Sequence, residues 1–334
     1  MKTSSKLLFF MMMTMSTLMI MSSSNWMNLW IGLEINMMSF IPLMFKPKNN
    51  FLSQSGMMYF LIQSMSSIIF LITMLISMYF ILNLNKNMLI KLMIMMSMMM
   101  KMGMPPFHMW FPEIMSKLKW NMCMLLMTWQ KIAPMYIISQ MLMNNKITMM
   151  IIIISTMMGS IMGLNHTSTR KIMAYSSMNH LGWMTACAVM YKKLWIMYMM
   201  LYSMMIIIMC INLNKYNIMF INQFNIKSLT MMEKLSFMIM MLSMGGMPPF
   251  MGFLPKWITI EYMMMSKEMF IMIMMTMSSL ITLSFYMKMI SSISLMMNFS
   301  QKWMNLNKNK KNSTTSMLYI NMTLPMLMML MNFM

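Results

Sequence analysis

The sequence predicts an all-α, polytopic membrane protein of about eleven transmembrane helices, arranged as inverted repeats with two discontinuous helices. First, 60% of the 334 residues are apolar and only 9% are charged, whereas soluble domains are nearer half apolar and a quarter charged. Second, the apolar residues form runs close to the length of about 20 residues that a helix needs to cross a bilayer. Third, one proline-rich string occurs twice. A conventional soluble enzyme is thereby excluded.

The first predicted helix covers residues 6–23, behind Lys2 and Lys6. A secretory signal begins in the same way, but no small-residue cleavage site follows, so we expect this helix to stay in the membrane. Polar clusters such as 46–50 and 83–87 separate later helices, and the lysine-rich stretch 298–316 is expected to be an external loop. The other ten predicted helices cover residues 25–44, 56–80, 88–118, 121–143, 147–163, 172–190, 194–213, 234–265, 268–290 and 317–333.

The charge distribution supports this helix assignment. The formal charge is +20, but the lysines are dispersed singly between apolar runs, so we expect lipid contact and no nucleic-acid binding. With the predicted helices, sixteen of the 25 basic residues fall on the N-terminal side of the membrane, six on the other side and three inside. By the positive-inside rule, the N-terminus faces the cytoplasm-equivalent side.

Cysteine and methionine give no sign of a metal site or a cofactor. Cys123, Cys187 and Cys210 lie in apolar runs without a CxxC spacing, so buried, inert thiols are expected. The 77 methionines could suggest copper handling, but they are spread evenly wherever leucine or isoleucine would serve. This bias resembles an AT-rich gene in which ATA encodes methionine, as in many animal mitochondria. No Gly-rich phosphate loop follows a strand, so we expect no redox cofactor in this chain.

The repeated string defines the predicted repeats. Residues 103–112 and 246–255 are identical at six of ten positions, at an offset of 143. Paired prolines break a helix, and matching breaks in two halves are typical of transporters with discontinuous helices near their site. The copies lie in the fourth and the ninth predicted helix, five positions apart, so these helices run in opposite directions and the repeats must be inverted; two unrelated proline kinks are the alternative. We therefore predict one transmembrane domain, 1–334, with repeats at about 6–143 and 147–290 and a final helix at 317–333.

Four ionisable residues lie where the sequence predicts membrane. A charge there costs about 2.5–3.5 kcal/mol on insertion scales, so each is a functional candidate. Burial disfavours a charged amine and a nearby carboxylate favours it, so such lysines can exchange protons. We therefore predict a proton relay, with a static ion pair, or a lysine that reaches the interface, as the alternatives. The four residues are Glu34, Lys101, Lys131 and Lys256.

Two histidines could extend this relay, because imidazole titrates near physiological pH. His108 follows the first proline pair, and His180 lies in a predicted helix; a hydrogen-bonded structural histidine is the alternative at each position. His166 falls in a predicted loop and is expected at the surface. Four glutamates near predicted helix ends are expected to serve as caps or loop residues: Glu113, Glu233, Glu261 and Glu268.

Five segments carry a resemblance to a known family. They are 30–34 (WIGLE), 101–110 (a lysine, then PFHMW), 128–134 (TWQKIAP), 170–177 (RKIMAYSS) and 245–257 (GGMPP, then GFLPKW). In order and content they resemble the chain 2 family of NADH–ubiquinone oxidoreductase, the antiporter-like subunits of respiratory complex I, and the composition resembles insect members. The resemblance covers nearly the whole chain and weakens after residue 265. Pro105 and His166 depart from it, because alanine and glutamine are usual there.

The resemblance implies a proton-pumping membrane-arm subunit of the mitochondrial inner membrane, with its N-terminus in the matrix. It implies that NADH, flavin, iron–sulfur clusters and ubiquinone are bound by other subunits. It also implies that Glu34, Lys101, Lys131 and Lys256 form a buried proton-transfer chain. Our hypothesis is that separation of the first two charges sends a proton through Lys131 toward Lys256. The rival interpretations are a stand-alone cation/proton antiporter subunit and a purely structural subunit.

Overall fold

A computed structural model describes residues 3–45, 49–79, 84–142, 146–226 and 231–295 of the chain. These residues form helices, with one isolated antiparallel bridge between Ser168 and Phe220. The predicted loop 298–316 and the predicted final helix 317–333 lie outside the described residues. The helices are α1 (Thr3–Ser22), α2 (Trp26–Met44), α3 (Asn50–Tyr79), α4 (Leu84–Met102), α5 (Trp110–Lys117), α6 (Trp120–Met127), α7 (Trp129–Met141), α8 (Lys146–Gly163), α9 (Thr169–Met190), α10 (Leu194–Lys215), α11 (Gln223–Ile226), α12 (Met231–Gly245), α13 (Phe253–Met265) and α14 (Met269–Leu295).

The chain is therefore all-helical over the described ranges, as the sequence predicts. Five of the described helices are long and apolar enough to cross a membrane: α1, α3, α8, α10 and α14. Their hydroxyl side chains bond back to the carbonyl three residues earlier, as Ser66 does to Gln63 at 2.7 Å. Such bonds satisfy polar groups that hydrocarbon cannot solvate.

Two predicted segments each contain two helices. In 88–118, α4 and α5 are separated by residues 103–109, and in 234–265, α12 and α13 are separated by residues 246–252. Both separations coincide with the repeated proline-rich string. A glycine with positive φ begins each of them, Gly103 at +70° and Gly246 at +82°, a backbone conformation that costs glycine little.

A further break and a short helix were not expected from the sequence. The predicted helix 121–143 is divided at Thr128, whose φ and ψ are −108° and −72°. Its hydroxyl and its backbone N–H both bond the carbonyl of Met124, at 2.8 and 3.0 Å. Helix α11 lies in a stretch that the sequence assigns to a loop, and its four residues are too few to give a periodic pattern.

The chain forms two compact units, Met1–Thr148 and Met149–Met334. In the first unit, α1 packs on α2, α3 on α4, and α4 on α7. In the second unit, α9 packs against α10, α13 and α14, and every residue from 172 to 188 is buried. Gly159 of α8 permits close approach to α9, since a Cβ there would lie 2.7 Å from the backbone nitrogen of Asn179.

Candidate proton-transfer site

Glu34 and Lys101 lie close enough within the first unit for their charges to interact. Lys101 is in the last turn of α4 and only 7% exposed, while Glu34 is half-buried on α2. The Glu34 carboxylate interacts electrostatically with the Lys101 ammonium. Because the charges are opposite and the lysine is removed from water, the carboxylate favours the protonated form of the amine.

The break after α4 fixes the position of Lys101. Gly103 lies in the left-handed region, and the N–H of Met104 donates to the carbonyl of Met99 at 3.0 Å, which is the closing bond of a Schellman-type helix end. A Cβ on Gly103 would lie 2.8 Å from the Cβ of Phe111. Because α4 ends at Met102, Lys101 stands at a helix C-terminus, where the helix dipole favours a positive charge.

Uncharged polar side chains surround Lys101 within the membrane-spanning region. Gln63 donates from Nε2 to the Lys101 carbonyl oxygen at 3.1 Å. The Tyr59 hydroxyl donates to Oε1 of Gln130 at 3.3 Å, and Nε2 of Gln130 donates to Oδ1 of Asn36 at 3.1 Å. None of these four residues was predicted from the sequence to belong to the site. The available signal was an amide side chain, such as Gln63, in the middle of a long and largely apolar helix.

Lys131 is the most deeply buried lysine that the structure describes. It lies on α7, is 1% exposed, and its Nζ stands 5.3 Å from the centroid of the Phe111 ring. A cation over an aromatic face is attracted by the ring quadrupole, more strongly where water is excluded. Phe111 also packs against Gly103. The first unit thus contains Glu34, Lys101 and Lys131, three of the four predicted relay residues.

His108 lies in the non-helical segment between α4 and α5. It is 6% exposed, and its Nδ1 is 3.3 Å from the carbonyl oxygen of Pro106. Its Nε2 is buried and has no hydrogen-bond partner among the described residues. This geometry is compatible with either predicted role, since one ring nitrogen is held and the other is open to a further donor or acceptor.

Lys256 belongs to the second unit and caps a helix end there. It is 5% exposed on α13, and its Nζ donates to the carbonyl oxygen of Gly245, the last residue of α12, at 2.8 Å. Its Nζ also lies 5.8 Å from the Trp183 ring centroid. The last carbonyls of a helix lack intrahelical partners and carry partial negative charge. Gly246 leaves room for this contact, because a Cβ there would lie 2.8 Å from Nζ.

His180 is also in the second unit, on the buried helix α9. Its Nδ1 lies 3.0 Å from the hydroxyl oxygen of Tyr198, and its ring is 5.1 Å from that of Tyr202. Both tyrosines are on α10, four residues apart, and therefore on the same helix face. The histidine is thus held by a hydrogen bond, as the structural alternative expects, while imidazole and phenol can both carry a proton.

His166 lies in the loop before α9 and stacks on Tyr175, with ring centroids 5.1 Å apart and an interplanar angle of 7°. Partial burial and the nearby Lys171 ammonium lower the pKa of His166 below its usual 6.5. Of the glutamates expected at helix ends, Glu113 and Glu233 lie in the first turns of α5 and α12. A negative charge is favourable in a first turn.

Metal ligands do not converge in the described ranges, where no group of three His, Cys, Asp or Glu side chains could hold an ion. The three cysteines are buried. The site residues are suited to holding and passing protons, because each can donate or accept a hydrogen bond. They are lysine amines, one carboxylate, amides and phenols, of which the amines and the carboxylate can change charge.

Comparison with known proteins places these residues in a family context. Residues 23–282 match the family model described as NADH:quinone oxidoreductase/Mrp antiporter, TM. The chain is 40% identical over 325 residues to NADH-ubiquinone oxidoreductase chain 2 of Anopheles gambiae, covering 96% of this chain and 95% of the relative. It is 37% identical over 321 residues to the same protein of Mus musculus, covering 92% of each.

Solved structures show the same fold at low sequence identity. The chain superposes on a subunit of respiratory complex I from Thermus thermophilus with a TM-score of 0.81 and 14% identity, covering 95% of this chain and 76% of the other. It also superposes on a chain of the Mrp complex from Dietzia, with a TM-score of 0.77 and 12% identity, covering 92% and 63% respectively. The antiporter-like fold is therefore common to both kinds of complex.

Proposed function

The chain belongs to the chain 2 family of NADH–ubiquinone oxidoreductase, and on this premise we propose that it is a core membrane-arm subunit of proton-pumping complex I. In that role it carries part of the proton path and couples electron transfer from NADH to ubiquinone to proton transport. The observation that supports this most directly is that one unit holds the buried Lys101 and Lys131 together with the half-buried Glu34, whose charge interacts with that of Lys101.

The proposed step begins when the attraction between Glu34 and Lys101 is weakened. Without the carboxylate nearby, a buried ammonium loses its main stabilising partner and releases a proton, because a charge is costly in a low-dielectric environment. Lys131, deeply buried over an aromatic face, then takes up a proton. One N–H bond is broken and one is formed, and no redox centre is needed in this chain. Onward transfer toward Lys256, with His108 and His180 as further relay groups, stays a prediction.

The energy for this step must come from outside the chain. Moving one charge across the membrane potential costs about 2.3 kcal/mol per 100 mV. We propose that NADH, flavin, iron–sulfur clusters and ubiquinone are held by other subunits, and that the other membrane-arm subunits are the partners of this chain. The location is the mitochondrial inner membrane, with the N-terminus in the matrix, consistent with the excess of basic residues predicted on that side.

The finer architecture belongs to the same proposal. We propose eleven transmembrane helices in two inverted repeats, with α4–α5 and α12–α13 as the discontinuous helices. The proposal is supported by the helix ends at Met102 and Gly245 and by the positive φ of the glycines that follow. Such broken helices expose helix termini at membrane depth, where they can face ions.

A stand-alone cation/proton antiporter subunit is the second candidate. The likeness to the Mrp complex chain favours it as much as the likeness to the complex I subunit favours the first candidate, because both show only the fold. Sequence relatives of 34–40% identity are chain 2 proteins, so the first candidate is better supported. In a third interpretation, the buried charges are static pairs that serve assembly alone.

The experiment replaces Lys131 by Met and Glu34 by Gln in the assembled respiratory complex. Lys192, which is exposed, provides the matched control as Lys192→Met. We expect all three variants to assemble, with pumping per electron pair strongly reduced in the first two and unchanged in the control. Normal pumping in fully assembled Lys131→Met complex would refute the relay. Purification of the chain in a complex without NADH:quinone chemistry would support the antiporter.

A further inference from the structure

Two segments of the second unit meet where α9 begins and α10 ends. The N–H of Thr169, the first residue of α9, donates to the carbonyl oxygen of Met219 at 2.9 Å. The Thr169 hydroxyl donates to the carbonyl oxygen of Ile218 at 3.2 Å, and the isolated antiparallel bridge lies beside these bonds. We call residues 167–169 and 218–221 together the loop clamp, because they join the two helices at this end.

Met219 has a fixed backbone and an accessible side chain. Its N–H donates to Oε1 of Gln223 at 2.6 Å, so the residue is bonded through both its N–H and its carbonyl group. The side chain is 38% exposed and belongs to the non-helical stretch 216–222, beside Asn217 and Asn222. Many other exposed methionines lie on long apolar helices such as α1 and α3, where lipid surrounds them. Met219 is therefore within reach of small molecules dissolved in water.

Arg170, the one arginine of the chain, contacts the sulfur of Met219. Its Nη2 donates to Sδ at 3.5 Å. Arg170 is in the first turn of α9, where the helix dipole does not favour a positive charge, so a contact across the loop clamp is the better position for its guanidinium. A thioether sulfur is only a weak acceptor. A stronger acceptor at the same place would therefore be held more firmly.

We propose that Met219 is a site of reversible oxidation, at which hydrogen peroxide converts the thioether to a sulfoxide and the Arg170 guanidinium binds the new oxygen. A sulfur lone pair attacks one peroxide oxygen, so that an S–O bond forms and the O–O bond breaks. Sulfur gives up two electrons, and the leaving hydroxide takes the proton from the oxygen now bound to sulfur and departs as water. The guanidinium N–H groups beside the sulfur stabilise this hydroxide as it leaves. Sulfoxide reductases restore the thioether.

Oxidation strengthens the loop clamp. The sulfoxide oxygen accepts from a charged donor, and such hydrogen bonds are roughly twice as strong as neutral ones. Arg170 belongs to α9 and Met219 to the segment after α10, so the stronger contact holds the two helices together at this end. The bond from the Thr169 N–H to the Met219 carbonyl oxygen then opens less often.

Peptide mapping of the assembled complex by mass spectrometry tests this site. Cleavage after lysine gives the peptide 216–227, in which Met219 is the sole methionine, so an added oxygen is assigned to one residue. The next peptide, 228–234, contains the matched controls Met231 and Met232, which are 57% and 59% exposed. We expect dilute hydrogen peroxide to oxidise Met219 faster than either control, although Met219 is less exposed. Methionine sulfoxide reductases should then restore the original mass.

Two substitutions that remove the same charge test the role of Arg170. Arg170→Gln should slow the oxidation of Met219 roughly two- to tenfold, which corresponds to the loss of one hydrogen bond. Lys171→Gln changes the adjacent residue and leaves Arg170 in place, so it should not alter the rate. If R170Q does not assemble, Arg170→Lys keeps the charge but lacks the planar fork of donors, and it should slow the oxidation as well.

Hydrogen exchange measures the loop clamp itself. Exchange of the Thr169 amide should slow after oxidation in the unaltered chain, and it should not change in R170Q or in Met219→Leu. Oxidation of Met219 no faster than that of the two control methionines would exclude a selective site. Undiminished oxidation in R170Q would exclude the guanidinium from the reaction. Unchanged or faster exchange at Thr169 after oxidation would show that the sulfoxide does not strengthen the clamp.

Discussion

Replacing Gly246 by alanine tests whether the break after α12 is shaped around Lys256. Gly246 has a φ of +82°, and an added Cβ would lie 2.8 Å from Nζ, 2.9 Å from Cδ and 3.1 Å from Cε of Lys256. The lysine chain is flexible, so it can move away from the methyl group. In doing so it must give up the 2.8 Å bond from Nζ to the carbonyl oxygen of Gly245.

Two terms set the magnitude. An alanine in the left-handed region costs roughly 1–2 kcal/mol, and loss of a hydrogen bond to a charged group costs about 1.5–3 kcal/mol. If both apply, Gly246→Ala lowers the free energy of unfolding by about 2.5–5 kcal/mol. If Lys256 is first shortened to alanine, the second term disappears, and we expect G246A to cost only the backbone term of about 1–2 kcal/mol.

The assay is a double-mutant cycle on the full-length chain in detergent, with the free energy of unfolding measured for each variant. Gly56→Ala is the matched control, because a Cβ there would meet only Phe45 Cδ2 at 3.6 Å, an ordinary contact. Alanine is the better helix former, so Gly56→Ala should be neutral or stabilising by up to about 1 kcal/mol. Proton pumping of the assembled complex is measured in parallel and should fall in G246A and in the variants that lack the Lys256 side chain, but not in Gly56→Ala.

Equal costs of G246A with and without the Lys256 side chain would refute the reasoning, because they would show that the methyl group and the amine do not compete. Normal pumping in an assembled G246A complex would show that the bond between Lys256 and Gly245 is not needed for function.

Two further predictions concern the histidines. Tyr198→Phe removes the hydroxyl bonded to His180 and should lower the free energy of unfolding by about 0.5–1.5 kcal/mol. The control Tyr262→Phe, at a position 38% exposed, should have no effect. Equal free energies of unfolding for the two variants would contradict a role for the Tyr198 hydroxyl. Because the pKa of His166 is lowered below 6.5 in the folded chain, the unfolded chain binds the proton more readily, so the stability from this residue is present above pH 6.5 and is lost as the pH falls. Thermal unfolding between pH 5 and 8 should show this loss of stability at low pH in the unaltered chain, and a smaller loss in His166→Gln. Identical pH profiles of the two proteins would contradict the contribution of His166.

The positions of the charged residues could be predicted from the sequence, and their partners could not. Glu34, Lys101 and Lys131 are conspicuous because ionisable groups are rare in long apolar runs. The partners are uncharged. Tyr59 and Gln130 are 71 residues apart in sequence, and only the packing of both α3 and α7 on α4 brings them together. Nearly uniform methionine-rich helices offer no polar stripe from which that packing could be inferred.

Some of the helix breaks could also be predicted from the sequence, and others could not. Gly103 and Gly246 stand before paired prolines, so the ends of α4 and α12 follow from local chemistry. The break at Thr128 does not follow from local chemistry. Threonine occurs within many unbroken helices, and its hydroxyl bonds to the backbone in those helices too. The contact between Lys256 and Gly245 was also missed. The two lie eleven positions apart in sequence, and only the fold of the segment between them brings the amine to that carbonyl.

Helix α9 has a consequence for the synthesis of the chain. It is buried on every side from residue 172 to 188 and is not among the helices apolar enough to cross a membrane by composition, whereas its neighbours α8 and α10 are. A segment that has Arg170 and Lys171 in its first turn and carries two serines, an asparagine and a histidine gains little by entering lipid alone. Its insertion must therefore be driven by the helices before and after it, so the ribosome has to complete α10 before α9 is secure in the bilayer.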